Sequence, residues 1–314
     1  MRAVTLTGTR LTVEDQPGPK PGVGECLVQV RAAALNGGDM MQRRGLYVAP
    51  LGTSQDIPGM ELAGEVIERG DGANRFEVGD RVMGIVAGGG QAELAVVHER
   101  ILMPVPENLS WTEAGAVPEV FTTAHDGVFT QAGLRAGERL LVHGGAGGVG
   151  TAAIQLGRAA GARVTATVRN PDHRDKVAQL GAEVIAPEGF EEHGPFDVIL
   201  ELVGAPNLPG NLQALGLWGR IMVIGAAAGA EVEVNLGLAM QKRARVLSSM
   251  LRSRPLEEKA LTARAVERSV LPLLASGAIC VPISATYPLE EAAAAYDRFA
   301  EGGKFGKVVL EMGR

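Results

Sequence analysis

Three observations predict an α/β protein in which a β-rich unit joins a doubly wound parallel sheet. The first stretch, to roughly residue 110, reads as short strands broken by Gly, Pro and Asp. From Glu138 onward, apolar strands alternate with helical runs, the order expected of parallel strands covered by helices. The glycine-rich stretch HGGAGGVG stands between one such strand and one such helix.

Taken in order, ECLVQVRAAAL, ELAGEVIERG and DRVMGIVAGGGQAELAVV are strand segments of the β-rich unit. RLLVHG, RVTATV, EVIA, FDVILELVG and RIMVIG are strands of the second unit, with helices at VGTAAIQLGRAAG and DHRDKVAQLG. After ARVLSSMLRSRP come two helical segments, LEEKALTARAVERSVLPLLASG and LEEAAAAYDRFAEGG, separated by ISATYPL. KVVLEM is last, and this tail is expected to return to the first unit.

At 314 residues and 46% hydrophobic content, the chain can bury a substantial core, and two domains are expected. A net charge of -6 with no basic stripe argues against a nucleic-acid partner. Cys26 and Cys280 are too few for a disulfide scaffold or a four-cysteine zinc lobe, which fits a reducing compartment. Charge, Gly or Pro interrupts every apolar stretch within a bilayer-spanning length, so a soluble cytoplasmic protein without membrane partners is expected.

Gly145, Ala146, Gly147, Gly148, Val149 and Gly150 satisfy G-x-G-x-x-G. Alone, that pattern is weak in a chain with 43 glycines. Its place after Leu140-Leu141-Val142 and before a helix with Val149, Ala153, Leu156 and Ala160 on one face makes it a dinucleotide fingerprint of the Rossmann type. The first glycine is expected to permit the tight turn, the second to let the pyrophosphate approach, and the third to let helix and strand pack closely. The helix N-terminus offers free N–H groups to the phosphates.

A site selective for the unphosphorylated ribose carries an acid about 20 residues further on. Here Arg169 and Asn170 occupy that region and Arg174 follows, so NADPH is favoured over NADH. A solvated loop charge remains the other reading of Arg169, and a helix-surface residue that of Arg174.

With ALNGGDMMQRRGLY, GGGQAELAVV, GAGGVGTAAIQL, SMLRSR and GKVVL in hand, the whole chain resembles the zinc-independent quinone oxidoreductases of the medium-chain dehydrogenase/reductase superfamily. It looks most similar to the tumour-suppressor-inducible subgroup. The resemblance implies a GroES-like catalytic domain over residues 1–113 and 258–314 and a Rossmann domain over 114–257, with the cofactor in the cleft between them. It also implies a homodimer, formed by pairing the strand from Arg245 to Ser249 across a two-fold axis.

Zinc alcohol dehydrogenases of this superfamily carry a ligand Cys in C-x-x-D and a ligand His in G-H-E. The matching stretches here are Asn36-Gly37-Gly38-Asp39 and Gly59-Met60-Glu61, so both ligands are replaced and no metal is expected. The five histidines show no ligand spacing and are read as structural or surface residues.

The chemistry implied is hydride transfer to a quinone or activated enone. The resemblance places Asn36, Asp39, Tyr47 and Thr123 around the nicotinamide. Tyr47 either donates a hydrogen bond or a proton, or only lines the pocket. Asn36 and Asp39 also suit capping of the helix MMQRR, the more so Asp39. Further cofactor contacts implied are Gly204, Gly225 and Ala226 at strand ends, Leu251, Arg252 and Arg254 in SMLRSR, and Lys304 near the pyrophosphate. Family members commonly carry Asn-Tyr after the third strand; Ala186-Pro187 stands there instead, which leaves the 2'-phosphate to Arg169 and its neighbours. Two other functions share the scaffold: reduction of enoyl-thioester or alkenal double bonds, and NADPH binding in a structural or RNA-binding role.

Overall fold

A computed structural model describes residues 1–47, 49–50 and 52–313 of the chain. Along the sequence come β1 (Arg2–Thr7), β2 (Arg10–Asp15), β3 (Glu25–Ala34), α1 (Gly37–Arg43), β4 (Glu61–Arg69), β5 (Arg81–Ile85), β6 (Leu94–His98) and β7 (Leu102–Pro104). Next are α2 (Trp111–Ala114), α3 (Pro118–His125), β8 (Arg139–Val142), α4 (Gly148–Ala159), β9 (Arg163–Thr167), α5 (Arg174–Gln179), β10 (Glu183–Ile185) and β11 (Phe196–Glu201). Then follow α6 (Leu208–Ala214), β12 (Leu215–Val223), α7 (Leu236–Lys242) and β13 (Arg245–Ser248). Last are α8 (Leu256–Ser269), α9 (Leu271–Ala275), β14 (Ile283–Pro288), α10 (Ala292–Ala300) and β15 (Lys307–Glu311).

The chain divides into two compact units, Met1–Thr122 with Leu251–Arg314, and Thr123–Met250. Residues 251–257 fall to the first unit, and hydrogen bonds explain why. Arg252 is bonded there to Gln42, Tyr47 and Ala87.

In the first unit, a seven-stranded sheet runs β14-β15-β3-β4-β5-β7, with β6 also paired to β3. β3 is hydrogen-bonded to β4, β6 and β15, and its alternate residues Cys26, Val28, Val30, Ala32 and Ala34 are all buried, whereas Glu25, Gln29 and Arg31 on its other face are only partly so. The tail does return here, β15 lying antiparallel to β3 and parallel to β14. Tyr296 of α10 fills the core against residues including Val28, Leu62 and Leu310, and its phenol donates to Gln91 Oε1 at 2.9 Å.

The second unit is a six-stranded sheet in the order β10-β9-β8-β11-β12-β13, with every pairing parallel. β8, β9 and β10 step outward in one direction, and β11, β12 and β13 in the other. The reversal lies between β8 and β11, the topological switch point at which open sheets of this kind bind ligands. Leu141, Phe196, Ile199 and Ile221 centre one core of this unit. α4 is more deeply seated than its one-face pattern predicts, since residues 150 to 157 are all buried. Thr151 and Gln155 tolerate this because their side chains donate to Gly148 O and Thr151 O.

Candidate active site

The glycine turn follows β8 at the switch point. Gly144, rather than Gly145, supplies its left-handed backbone, at φ +70°. Gly145 is needed for space, because a Cβ there would lie 2.8 Å from Ala166 Cβ on β9. Gly150 is tighter still, with Gly144 O 2.4 Å from the position of a Cβ, which brings α4 close to the turn. Gly147 differs: its φ is -75°, and a Cβ would meet only Gly144 O, at 3.4 Å. Ala146, Gly147, Gly148 and Val149 are partly exposed, while Gly145 and Gly150 are buried. The fold therefore explains the glycines at 145 and 150, whereas the one at 147 leaves open a helix N-terminus with unsatisfied N–H groups.

A buried polar chain braces the strand ends beneath this turn. Asn211 commits its amide nitrogen to Glu201 Oε2 at 2.8 Å, so its oxygen faces His143 Nε2 at 2.7 Å. His143 Nε2 is then the donor, and Nδ1 accepts from Thr167 Oγ1 at 3.1 Å. Thr167 Oγ1 in turn accepts from Gly144 N, and Glu201 Oε1 accepts from the backbone of Val203 and Gly204. Burial holds the His143 pKa below its ordinary value, which keeps the ring neutral. The sequence signal was a Glu inside the apolar run FDVILELVG, unusual unless the carboxylate is bonded.

The predicted cofactor residues of this unit gather at the carboxyl ends of the strands. Arg169 follows β9, is exposed, and has no bonded partner among the described residues. Arg174 is half-buried and uses only Nε, donating to Val168 O at 3.3 Å. Asn170 accepts from Asp172 N and so caps the turn that leads into α5. Gly204 follows β11 at φ +141° and packs against Ala226, which with Gly225 follows β12. Thr123 is buried on α3, just ahead of a π-helical turn over 126–131.

In the first unit, Asn36, Asp39, Tyr47, Met60, Glu61, Arg252 and Lys307 form a second cluster. Asp39 Oδ2 accepts from Asn36 N at 2.8 Å, the expected cap on α1, and Oδ1 accepts from Gly59 N at 3.1 Å. Complete burial pushes the Asp39 carboxyl up to about 6, against the pull of these bonds and of Lys307. The Asn36 amide is engaged at both ends: Nδ2 donates to Ala34 O and Glu61 Oε1, and Oδ1 accepts from Lys307 Nζ at 2.5 Å. Glu61 is buried, 2.8 Å from the Lys307 ammonium, and also accepts from Glu119 N. Sequence reasoning did not bring Lys307 to this cluster.

Tyr47 is half-buried, and its ring and the Met60 thioether converge on Gly38, 3.1 and 2.7 Å from the position of a Cβ. Desolvation raises its phenol pKa, so the hydroxyl stays protonated at neutral pH. Arg252 is buried with its guanidinium over the Tyr47 ring at 4.8 Å. It also donates to Tyr47 O, Ala87 O and Gln42 Oε1. Arg254 bonds Thr262, and Leu251 is half-buried. The Lys304 ammonium lies 3.6 Å from the Phe299 ring centroid, and burial lowers its pKa to about 8.

Residues 22–107 match the family described as "Alcohol dehydrogenase GroES-like domain", and residues 148–267 the one described as "Zinc-binding dehydrogenase". The metal in that second description does not fit the residues present. An amide and a thioether stand at the two ligand positions, and Glu61 is occupied by an ammonium and two N–H donors. No group of three or more His, Cys, Asp or Glu among the described residues is placed to hold a metal ion. Among similar proteins, a quinone oxidoreductase of Rattus norvegicus is 31% identical over 93% of this chain and 90% of its own. An acryloyl-coenzyme A reductase of Metallosphaera sedula is 30% identical over 99% of each. The quinone oxidoreductase of Thermus thermophilus, solved also in complex with NADPH, superposes with a TM-score of 0.86 at 34% identity, over 99% of this chain and all of that one. The chain belongs to the medium-chain dehydrogenase/reductase superfamily, with quinone oxidoreductases among its relatives.

Proposed function

We propose that this chain is an NADPH-dependent, metal-independent quinone oxidoreductase. The observation that carries the cofactor choice is Arg169, an exposed guanidinium without a protein partner among the described residues, at the end of β9 and on the strand next to the open glycine turn. A free planar fork of donors suits a 2'-phosphate, and Arg174 offers its two remaining nitrogens beside it. The N–H groups from Gly148 onward, at the start of α4, suit the pyrophosphate. Bound there, the cofactor supplies the hydride.

The Tyr47 phenol, protonated at neutral pH, donates a hydrogen bond to the acceptor oxygen as negative charge develops on it. Arg252 orients the ring, and Asn36, saturated by Lys307 and Glu61, stiffens the start of α1 rather than touching the acceptor. Quinones suit such a site because they accept hydride without a Lewis acid.

The second reading is reduction of an enoyl-thioester double bond. It is favoured by the acryloyl-coenzyme A reductase relative, similar along nearly the whole of both chains. Parallel assays of NADPH oxidation with an ortho-quinone and with a short enoyl thioester separate the two. For assembly we propose a homodimer through β13, an edge strand whose Val246 is 55% exposed. A monomer mass by light scattering at micromolar concentration would refute that. No helix among the described residues is long and apolar enough to cross a membrane.

A further inference from the structure

A small, partly open pocket lies within the first unit. Five aliphatic side chains, among them Ile85, Met103 and Leu251, make its walls, and Thr122, Lys259 and Thr262 are its polar lining. Thr122 is 3% exposed, and its buried hydroxyl has no hydrogen-bond partner among the described residues. Native structures rarely leave such a group unpaired unless something else meets it. Thr262 is already committed, donating to Glu258 O and accepting from Arg254. Lys259 is half-buried, and its ammonium makes neither an ion pair nor a hydrogen bond among the described residues. Burial lowers its pKa, and the like charge of Arg252 adds to this.

The pocket thus offers one unneutralised ammonium, one unsatisfied hydroxyl and an apolar wall. A dianion such as phosphate needs more donors than these two, and a neutral apolar molecule would leave both unmet. We propose that the pocket binds a short-chain aliphatic monocarboxylate, its carboxylate taking the Lys259 ammonium and the Thr122 hydroxyl and its chain lying on the aliphatic wall.

The test uses the full-length protein and butyrate as probe, with butyramide and chloride as comparisons, by calorimetry and ligand-observed NMR. Saturable butyrate binding is expected, with butyramide and equimolar chloride failing to compete. Lys259→Met should weaken butyrate roughly tenfold or more, and Thr122→Val severalfold, as expected for losing a charge-assisted and a neutral hydrogen bond. Thr122→Val removes only a hydroxyl and Lys259 is half-exposed, so both variants should fold, with Lys259→Gln as a second check. Tyr47→Phe should leave butyrate affinity unchanged, which separates this pocket from the acceptor site. Absence of saturation, equal binding of butyramide or chloride, unchanged affinity in Lys259→Met, or loss in Tyr47→Phe would each overturn the proposal.

Discussion

Two alanine substitutions, three residues apart in the same turn, should fail in opposite ways. At Gly147 the backbone is already in an ordinary region, and the added Cβ meets nothing closer than 3.4 Å. The expected stability cost is about 1 kcal/mol, that of alanine replacing glycine at an N-cap, or a few degrees in Tm at most. The methyl group nevertheless stands on the open side of the turn, where the pyrophosphate would approach. Losing one charge-assisted backbone hydrogen bond there should weaken NADPH by roughly 10- to 100-fold. At Gly150 the Cβ would be 2.4 Å from Gly144 O and 2.9 Å from Gly145 Cα, both backbone atoms with little freedom to move. Overpacking of this kind costs about 1–3 kcal/mol, so Gly150→Ala should lower Tm clearly. The assay is differential scanning calorimetry of both variants beside NADPH titration by fluorescence. Unchanged NADPH affinity in a folded Gly147→Ala would refute the pyrophosphate turn, and an unchanged Tm in Gly150→Ala would refute the packing argument.

Arg169→Ala should weaken NADPH strongly and NADH little, by titration of each; equal loss for both would reject the 2'-phosphate role. Asp39 titrates at about 6 when folded against 3.8 for a free carboxyl, so the folded state holds its proton more tightly. Its stabilising effect is therefore full below pH 4 and lost as pH rises towards 6, an amount of roughly 3 kcal/mol for a rise of this size. Asp39→Asn should flatten the stability profile over that window in pH-dependent denaturant melts, and a slope identical to wild type would show that another group is responsible. Arg252→Lys removes the plane stacked on Tyr47 and most of its hydrogen bonds, so acceptor KM should rise with NADPH affinity kept; steady-state kinetics beside cofactor titration would show otherwise if both moved together. Tyr47→Phe removes only the hydroxyl, and acceptor reduction at the wild-type rate would exclude it as donor.

The parallel sheet was legible because its strands are buried on both faces and punctuated by helices, a pattern that survives in RLLVHG, FDVILELVG and RIMVIG. The glycine turn was legible in position but not in the role of each glycine. That depends on Ala166 approaching from the next strand and on Gly144 taking the left-handed backbone, neither visible in a linear spacing. The network of Thr167, His143, Asn211 and Glu201 draws on residues up to 68 positions apart, with only the buried Glu as a hint. Lys307 was hidden for the same reason, since its partners Asn36 and Glu61 meet it only after β15 pairs with β3. Arg252, by contrast, was singled out for the cofactor, and the structure engages its guanidinium on the Tyr47 loop.

The central claim is hydride transfer from NADPH to a quinone without a metal. Its most direct test is NADPH oxidation by chelator-treated protein, followed by absorbance, with an ortho-quinone and a short enoyl thioester in parallel and NADH as the alternative donor. Turnover on the quinone is expected, unchanged by chelation and faster with NADPH. Turnover on the thioester alone, or quinone turnover that chelation abolishes and zinc restores, would contradict it.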